Sequence, residues 1–442
     1  MRTVVIFLFC SAILSGALFA QDCPKGGITP EEYTNRRSAL ISKLDTGSVL
    51  VVRAPEANDE YEYMNYRQDL NFLYLTGVDA PGYALLIVPG GMEINGKRWT
   101  GILFAPVEYL NGSYTFAGTR LPHGNFVGRT DTILPDTDLK KMLNLALSGS
   151  RILYYTAPGL SFLHDWLNDK PIFVDKEIQK SLKQTWPGIK IMKASGIVAR
   201  LRQVKSQEEI DLIRRSIVIT GDGIERALKA CKPGIWEYQL QAEVEYGITA
   251  GGAERTSFRS IIGAGKNSLS PHYDDNNCRT NAGEVVVMDV GAEYHGYAAD
   301  ITRTIPVSGK FTEEQKTIYE AVLKVQKQLI EMVAPGMTYE KIDRTANRLF
   351  TEAGYKRYLI HGVTHPVGLD VHDVQTAKVL EPGMVITIEP GLYIPANDSV
   401  LSEGFRGFGV RIEDDVLVTT EGHELLSKDI PKEVAEIEKI MR

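Results

Sequence analysis

The run VVVMDVGAEYHGYAADITRT, Val285 to Thr304, carries two aspartates in a valine-rich stretch with a turn signal at Tyr294, His295 and Gly296. Folded as a hairpin about that turn, it sets Asp289 opposite Asp300. Opposed side chains in such a ladder lie ~5 Å apart, and like charges there are destabilising. Two further acids sit in comparable text: Glu389 in MVITIEPGLYI, and Glu413 in GFGVRIEDDVLVT on the strand that would pair back. Four carboxylates gathered and buried cannot all stay charged without cations. Two divalent ions would supply that charge. An oxygen-rich set with one imidazole and no thiolate suits Mn2+, Co2+, Zn2+ or Fe2+. The imidazole comes from HGVTHPVGLDVHDV, which holds His361, His365 and His372, three of the eight histidines.

The elements that must carry these residues are partly duplicated. PGIWEYQLQAEVEYGITAGG begins at Pro233 and PGMTYEKIDRTANRLFTEAG at Pro335, 102 residues on, with Gly252 falling on Gly354. GEVVVMD, ending at Asp289, matches GMVITIE, ending at Glu389, and His272 and His372 share that offset of 100. The reading is two α+β halves related by a pseudo-two-fold axis, each giving acids to one central cleft. Generic helix-then-strand similarity is the alternative. A helix precedes the repeat: Ser206 with Glu209 makes a capping box, and Ile210, Ile213, Ile217, Ile224 and Leu228 follow at helical spacing. From Asp45 to about Lys193, short apolar strands such as GSVLVVRAP and GYALLIVPGG alternate with short helical pieces. That is an α/β domain with few residues placed for chemistry. The texture changes near residue 195, which divides the chain into 21–194 and 195–442.

The 442 residues are 43% hydrophobic and 24% charged, with a net charge of −7 and a pI of about 5.7. Lys and Arg are scattered, which argues against nucleic acid or an anionic membrane as partner. The start, MRTVVIFLFCSAILSGALFAQDC, reads as a secretory leader, residues 1–20, cleaved after Ala20. Export to a periplasm or the extracellular space follows, with no membrane span left after cleavage. An uncleaved anchor is the alternative, since Leu18 is large for its place before a cleavage site. The cysteines left after cleavage are Cys23, Cys231 and Cys278, an odd set that gives no disulfide framework.

The flanks of the acids are specific. GYAADITRT, GLDVHDV, LEPGMVITIEPGLYI and VRIEDD make residues 200–430 resemble the pita-bread metallopeptidases, in the branch of aminopeptidase P (Xaa-Pro aminopeptidase) and prolidase. NYRQDLNFLYLTG resembles the N-terminal domain of aminopeptidase P, so the resemblance spans nearly the whole mature chain. It implies an α/β N-terminal domain and an α+β pita-bread catalytic domain. The family's ligand order falls on Asp289, Asp300, His365, Glu389 and Glu413. Asp289 would hold one metal, His365 with Glu389 the other, and Asp300 and Glu413 would bridge. A water or hydroxide between the ions would be the nucleophile, with Glu389 as proton shuttle. His272 and His372 match substrate histidines, one donating to the carbonyl oxygen and one holding the imino-acid side. His361 is a further substrate-binding candidate.

The same resemblance makes Arg411 a partner that orients Asp289, the alternative being a plain strand-surface salt bridge. It places Tyr393 near the reacting groups, where it would serve equally well as core. The implied substrates are peptides with proline second, the implied metal Mn2+ with Co2+ or Zn2+ as alternatives, and the implied assembly a homo-oligomer, dimer or tetramer. A prolidase, cutting Xaa-Pro dipeptides, would share every ligand. A non-catalytic peptide-binding module of this fold would have lost them. The chain departs from the family between His372 and Glu389, where DVQTAKVLEPGMVIT is short and offers only Lys378 as a cation, and at Pro366 after His365. Arg67 in YRQ is expected to make a structural or subunit contact.

Overall fold

The computed structural model describes residues 27–57, 66–110, 131–156, 163–165 and 170–442. The expected leader and Cys23 lie outside the described residues. No described helix is long and apolar enough to cross a membrane.

Helices α1 (Pro30–Ile41) and α2 (Leu70–Thr76) flank a mixed six-stranded sheet. Its strands are β1 (Ser48–Arg53), β2 (Ala84–Ile94), β3 (Lys97–Ala105), β4 (Asp131–Pro135), β5 (Ile152–Tyr155) and β6 (Lys190–Lys193), in the order β4-β3-β2-β1-β5-β6. Side chains of a strand alternate between faces. Leu50, Val52, Leu85, Ile87 and Leu103 therefore join the main core of the molecule. Val49, Val51, Leu86, Ile102 and Phe104 pack on the opposite face in a separate core.

Helix α3 (Ser195–Gln203) leads from β6 to α4 (Gln207–Ala230). The expected capping box forms at Ser206 and Glu209, and Ile210, Ile213, Ile217, Ile224 and Leu228 all face the core. Then the duplication appears. Helices α5 (Glu237–Ala250) and α7 (Tyr339–Glu352) have 14 residues each, with α6 (Glu313–Ile330) between them. The turns before them match bond for bond. Gly234 N–H donates to Thr280 O at 2.8 Å and Thr280 N–H to Ile235 O at 2.9 Å; Gly336 N–H donates to Leu380 O at 2.9 Å and Leu380 N–H to Met337 O at 2.7 Å. Gly234 and Gly336 take φ of 86° and 87°.

Each half presents one hairpin to the centre. In the first, β7 (Ile261–Ala264) pairs with β8 (Val285–Val290), which pairs with β11 (Ile301–Pro306); the tip strands β9 (Ala292–Tyr294) and β10 (Tyr297–Ala298) belong to another sheet. In the second, β12 (Val385–Ile388) pairs with β15 (Asp414–Val418) while β13 (Gly391–Ile394) pairs with β14 (Phe408–Arg411). Both hairpins thus change sheets partway along. Asp300, Glu389 and Glu413 lie at those changeover points.

The register of the first hairpin corrects one expectation. Asp289 pairs with Thr302, not Asp300. The turn is centred between His295 and Gly296, whose φ of 50° and 81° fit a two-residue type I′ turn. That centre lies one residue later than the sequence reading placed it, so every pairing moves by two. A shift of two leaves side chains on the same face, and the two aspartates still look into one space.

Gly291 makes the changeover possible. A Cβ there would collide with the carbonyl oxygen of Ala299 and the hydroxyl of Ser257. Gly291→Ala should destabilise the protein by about 1–3 kcal/mol through overpacking, read as a lower midpoint in thermal or urea unfolding.

Candidate metal centre

Five acids and a histidine meet where the hairpins change sheets. Asp289 and Asp300 come from the first hairpin, Glu389 and Glu413 from the second. His365 arrives on the free edge of β12: its N–H donates to Thr387 Oγ1 at 3.0 Å, and Thr387 N–H donates to His365 O at 2.8 Å. Its Nε2 lies 3.4 Å from Asp300 Oδ2 and 3.6 Å from Glu389 Oε1. Ligand atoms of Asp300, His365 and Glu413 all lie within 4.8 Å of one another. Asp300 is 4% exposed and Glu413 1%, so water cannot screen them.

This crowding shows in the acidities. Burial, then Asp289, Asp415 and Glu389, push Asp300 well above the usual carboxylate range. Burial, then Asp300 and Glu389, do the same to Glu413. Burial raises Glu389 to about 7 against the pull of His365 and Arg411. Asp289 Oδ1 and Asp300 Oδ1 are buried without a hydrogen-bond partner in the protein. Orphaned buried oxygens of this kind call for an ion or water, and the donor set is hard oxygen with one imidazole. The residues fit a divalent cation, which Asp300, His365 and Glu413 lie close enough together to hold.

The fifth acid, Asp415, escaped the sequence reading. It accepts the Asp300 N–H at 3.1 Å, and burial lifts it to about 8. Its neighbour Asp414 points to the other side of β15, as strand alternation requires. There burial would raise it, but Arg303 and Lys432 outweigh burial and hold it low. The two look alike in EDD; only the alternation outward from Glu413 could have told them apart.

One cation braces the ligand layer. Arg411 donates to Asp289 Oδ2 at 2.7 Å, Tyr393 OH at 2.7 Å, Thr302 Oγ1 at 3.1 Å and Pro271 O at 3.2 Å. Thr302 Oγ1 in turn donates to Glu413 Oε2 at 2.6 Å. Burial would lower the Arg411 pKa, but Tyr393 and Asp289 more than reverse that, so the guanidinium stays charged. Tyr393 OH lies 2.9 Å from His361 Nε2, whose Nδ1 is 2.6 Å from Gly362 O. That pattern assigns the His361 proton to Nδ1. Burial drops His361 to about 4, leaving it neutral.

Two of the substrate-facing candidates line one cleft, and His361 and Tyr393 are not among its lining. His272 and His372 border a cavity of about 240 Å3 with Asp289, Asp300, Phe258 and Val371. His372 stacks on His365 with ring centroids 4.0 Å apart. Burial, then His365, lower its pKa. Its neighbour Asp373 is clamped by Arg202 at 2.6 Å and Lys205 at 3.1 Å, and Gln203 Oε1 accepts from Thr376 N at 3.1 Å and Ala377 N at 2.9 Å. Arg202 also donates to Asn71 of α2 at 3.0 Å. Lys378 is exposed on the same loop. Arg67 makes an intramolecular contact, 3.7 Å from Glu293 in β9. Cys231 and Cys278 are free thiols.

Known proteins resemble this chain in sequence and in fold. The model of metallopeptidase family M24 matches residues 211–420, and that of the aminopeptidase P N-terminal domain matches 33–154. The chain is 33% identical over 444 residues to the Xaa-Pro aminopeptidase of Escherichia coli (strain K12), covering 94% of this chain and 98% of that one. It is 40% identical over 241 residues to the Xaa-Pro dipeptidase of Pyrococcus furiosus, covering 53% of this chain and 66% of that one. The solved structure of E. coli aminopeptidase P with the inhibitor Pro-Leu superposes with a TM-score of 0.78 at 30% identity, covering 94% of this chain and 99% of that chain.

Asp300→Ala should abolish metal binding, measured as bound metal per chain, without lowering the unfolding temperature of the metal-free protein. The carboxyl removed is one that burial and like charge already penalise. Glu389 sets a pH dependence. A carboxyl raised from 4.5 to about 7 holds its proton more tightly folded than unfolded, so it subtracts stability from the metal-free protein as pH climbs through that window. Metal must displace that proton. Affinity should therefore fall about tenfold per displaced proton for each pH unit below ~7, measured by calorimetric titration from pH 5 to 8.

Proposed function

The chain belongs to metallopeptidase family M24, in the group that carries an aminopeptidase P N-terminal domain, and from that premise we propose that it is an Xaa-Pro aminopeptidase. It removes the first residue of peptides that carry proline second. The observation that carries this is the buried cluster of Asp300, His365 and Glu413, ringed by Asp289 and Glu389 and opening onto two histidines. Bound divalent ions supply Lewis acidity and an activated water. Mn2+ is the ion we assign first, with Co2+ or Zn2+ acceptable to the same donors.

The chain's own residues do the rest. Glu389, at the mouth of the cluster beside His365, is the residue we assign to take and return a proton. Arg411 keeps Asp289 oriented. His272 and His372 face the cleft, one to donate to the scissile carbonyl oxygen as charge builds there and the other to hold the imino-acid side. Proline lacks an amide N–H, so the site must grip the free N-terminus and carbonyl instead. Tyr393, buried between Arg411 and His361, fixes the neutral form of that histidine beside the reacting groups.

The dipeptidase reading keeps every ligand. What favours the longer substrate is the extent of the likeness: the aminopeptidase aligns along 94% of the chain, the dipeptidase along 53%. Export of the mature chain and assembly into a dimer or tetramer complete the proposal.

The test offers an Xaa-Pro dipeptide and an Xaa-Pro-Yaa tripeptide to residues 21–442 with Mn2+, each with and without chelator. Chelator-sensitive cleavage of the tripeptide before proline is the expected result. Cleavage of the dipeptide alone would make the protein a prolidase. Cleavage of neither, with metal bound, would leave a binding module.

A further inference from the structure

His272 is exposed, and no hydrogen bond holds its ring among the described residues. A histidine that must meet a carbonyl oxygen within a few tenths of an ångström needs its position set from elsewhere. Its two chain neighbours provide that. Pro271 O accepts from Arg411 at 3.2 Å on one side. On the other, Tyr273 OH donates to Glu237 Oε2 at 2.8 Å.

Glu237 is fully buried in the first turn of α5. An acid there ordinarily serves its own helix. This one spends its oxygens outward. Oε1 accepts from Ala264 N at 2.7 Å and Asn267 Nδ2 at 2.9 Å; Oε2 accepts from Tyr273 OH and from Cys278 N, both at 2.8 Å. These donors lie at the root, the start, the middle and the end of the loop that carries His272. Hydrogen bonds to a carboxylate are roughly twice as strong as neutral ones. The other half of the repeat uses the same plan with different chemistry: His372 is followed by Asp373, pinned by Arg202 and Lys205.

We propose that Glu237 is a positioning residue for His272, acting through the Tyr273 hydroxyl. The inference rests on the reading of His272 as substrate-facing, and it deepens that reading.

The test is a cycle of Tyr273→Phe, His272→Ala and the double variant, on Mn2+-loaded enzyme with an Xaa-Pro-Yaa peptide. Tyr273→Phe should lower kcat about tenfold, as expected for a slightly misplaced group, with KM and metal content little changed. In the His272→Ala background the same substitution should cost less than twofold, because the residue it positions is gone. An equal loss in both backgrounds would overturn the proposal. Glu237→Gln, which keeps the volume, should follow the same pattern. Amide hydrogen exchange supplies a reading free of turnover. Residues 270–275 should exchange faster in Tyr273→Phe while Val285–Val290 stays protected; an unchanged loop would also overturn the proposal. A wild-type protein that ignores proline peptides while its Tyr273→Phe variant loosens the loop would sink the aminopeptidase reading and leave the positioning intact.

Discussion

Mutual repulsion among carboxylates held away from water governs this molecule. Asp289, Asp300, Glu389, Glu413 and Asp415 share a space into which Arg411 sends the guanidinium that bonds Asp289. Arg303 and Lys432 are close by in sequence and fold, yet both are committed to Asp414 on the far side of β15. Left to itself the cluster lowers its energy by keeping protons, in line with the upward pKa shifts of Asp300, Glu413 and Glu389. Among the described residues, no lysine or arginine pairs with Asp300, Glu389 or Glu413. That deficit is what a metal ion from solution can fill.

The geometry that gathers the acids is a hairpin that changes sheets, used twice. Within a regular ladder, cross-strand neighbours are fixed at ladder spacing and alternate faces. At a changeover the two strands splay, and side chains can point into the space between. Gly291 in one hairpin and the Pro390–Ile412 contact in the other mark those points. The two splayed hairpins bond each other directly, through Asp300 N–H on Asp415 and Glu413 N–H on Thr302 O.

Much of this could be read from the chain because it rests on periodicity. The capping box, the helix face of α4 and the strand-and-turn text of β1 to β3 are local signals. The meeting of Asp289 with Asp300 was legible even though the pairing was misjudged, because an error of two residues conserves the face. His365 was a different matter. Residue type alone did not separate it from His361 and His372, and family likeness had to choose. Asp415, Glu237 and the Asp373 clamp were not legible. Each is defined by a partner more than thirty residues away, and a lone carboxylate in a sequence carries no mark of whether it will face a metal, an arginine or a tyrosine.

The clamp on Asp373 bears on how this protein can be taken apart. Arg202, Gln203 and Lys205 precede residue 211, where the likeness to the M24 family begins. They nonetheless hold the loop of His372, and Arg202 reaches back to Asn71. The working unit is therefore larger than the recognisable one. A shuffling event, or an excision, that cut at the start of family likeness would carry away the whole acidic cluster and leave behind the residues that pin the loop of His372. A break upstream of α3 keeps that clamp with the catalytic half, so the short linker belongs to its inheritance.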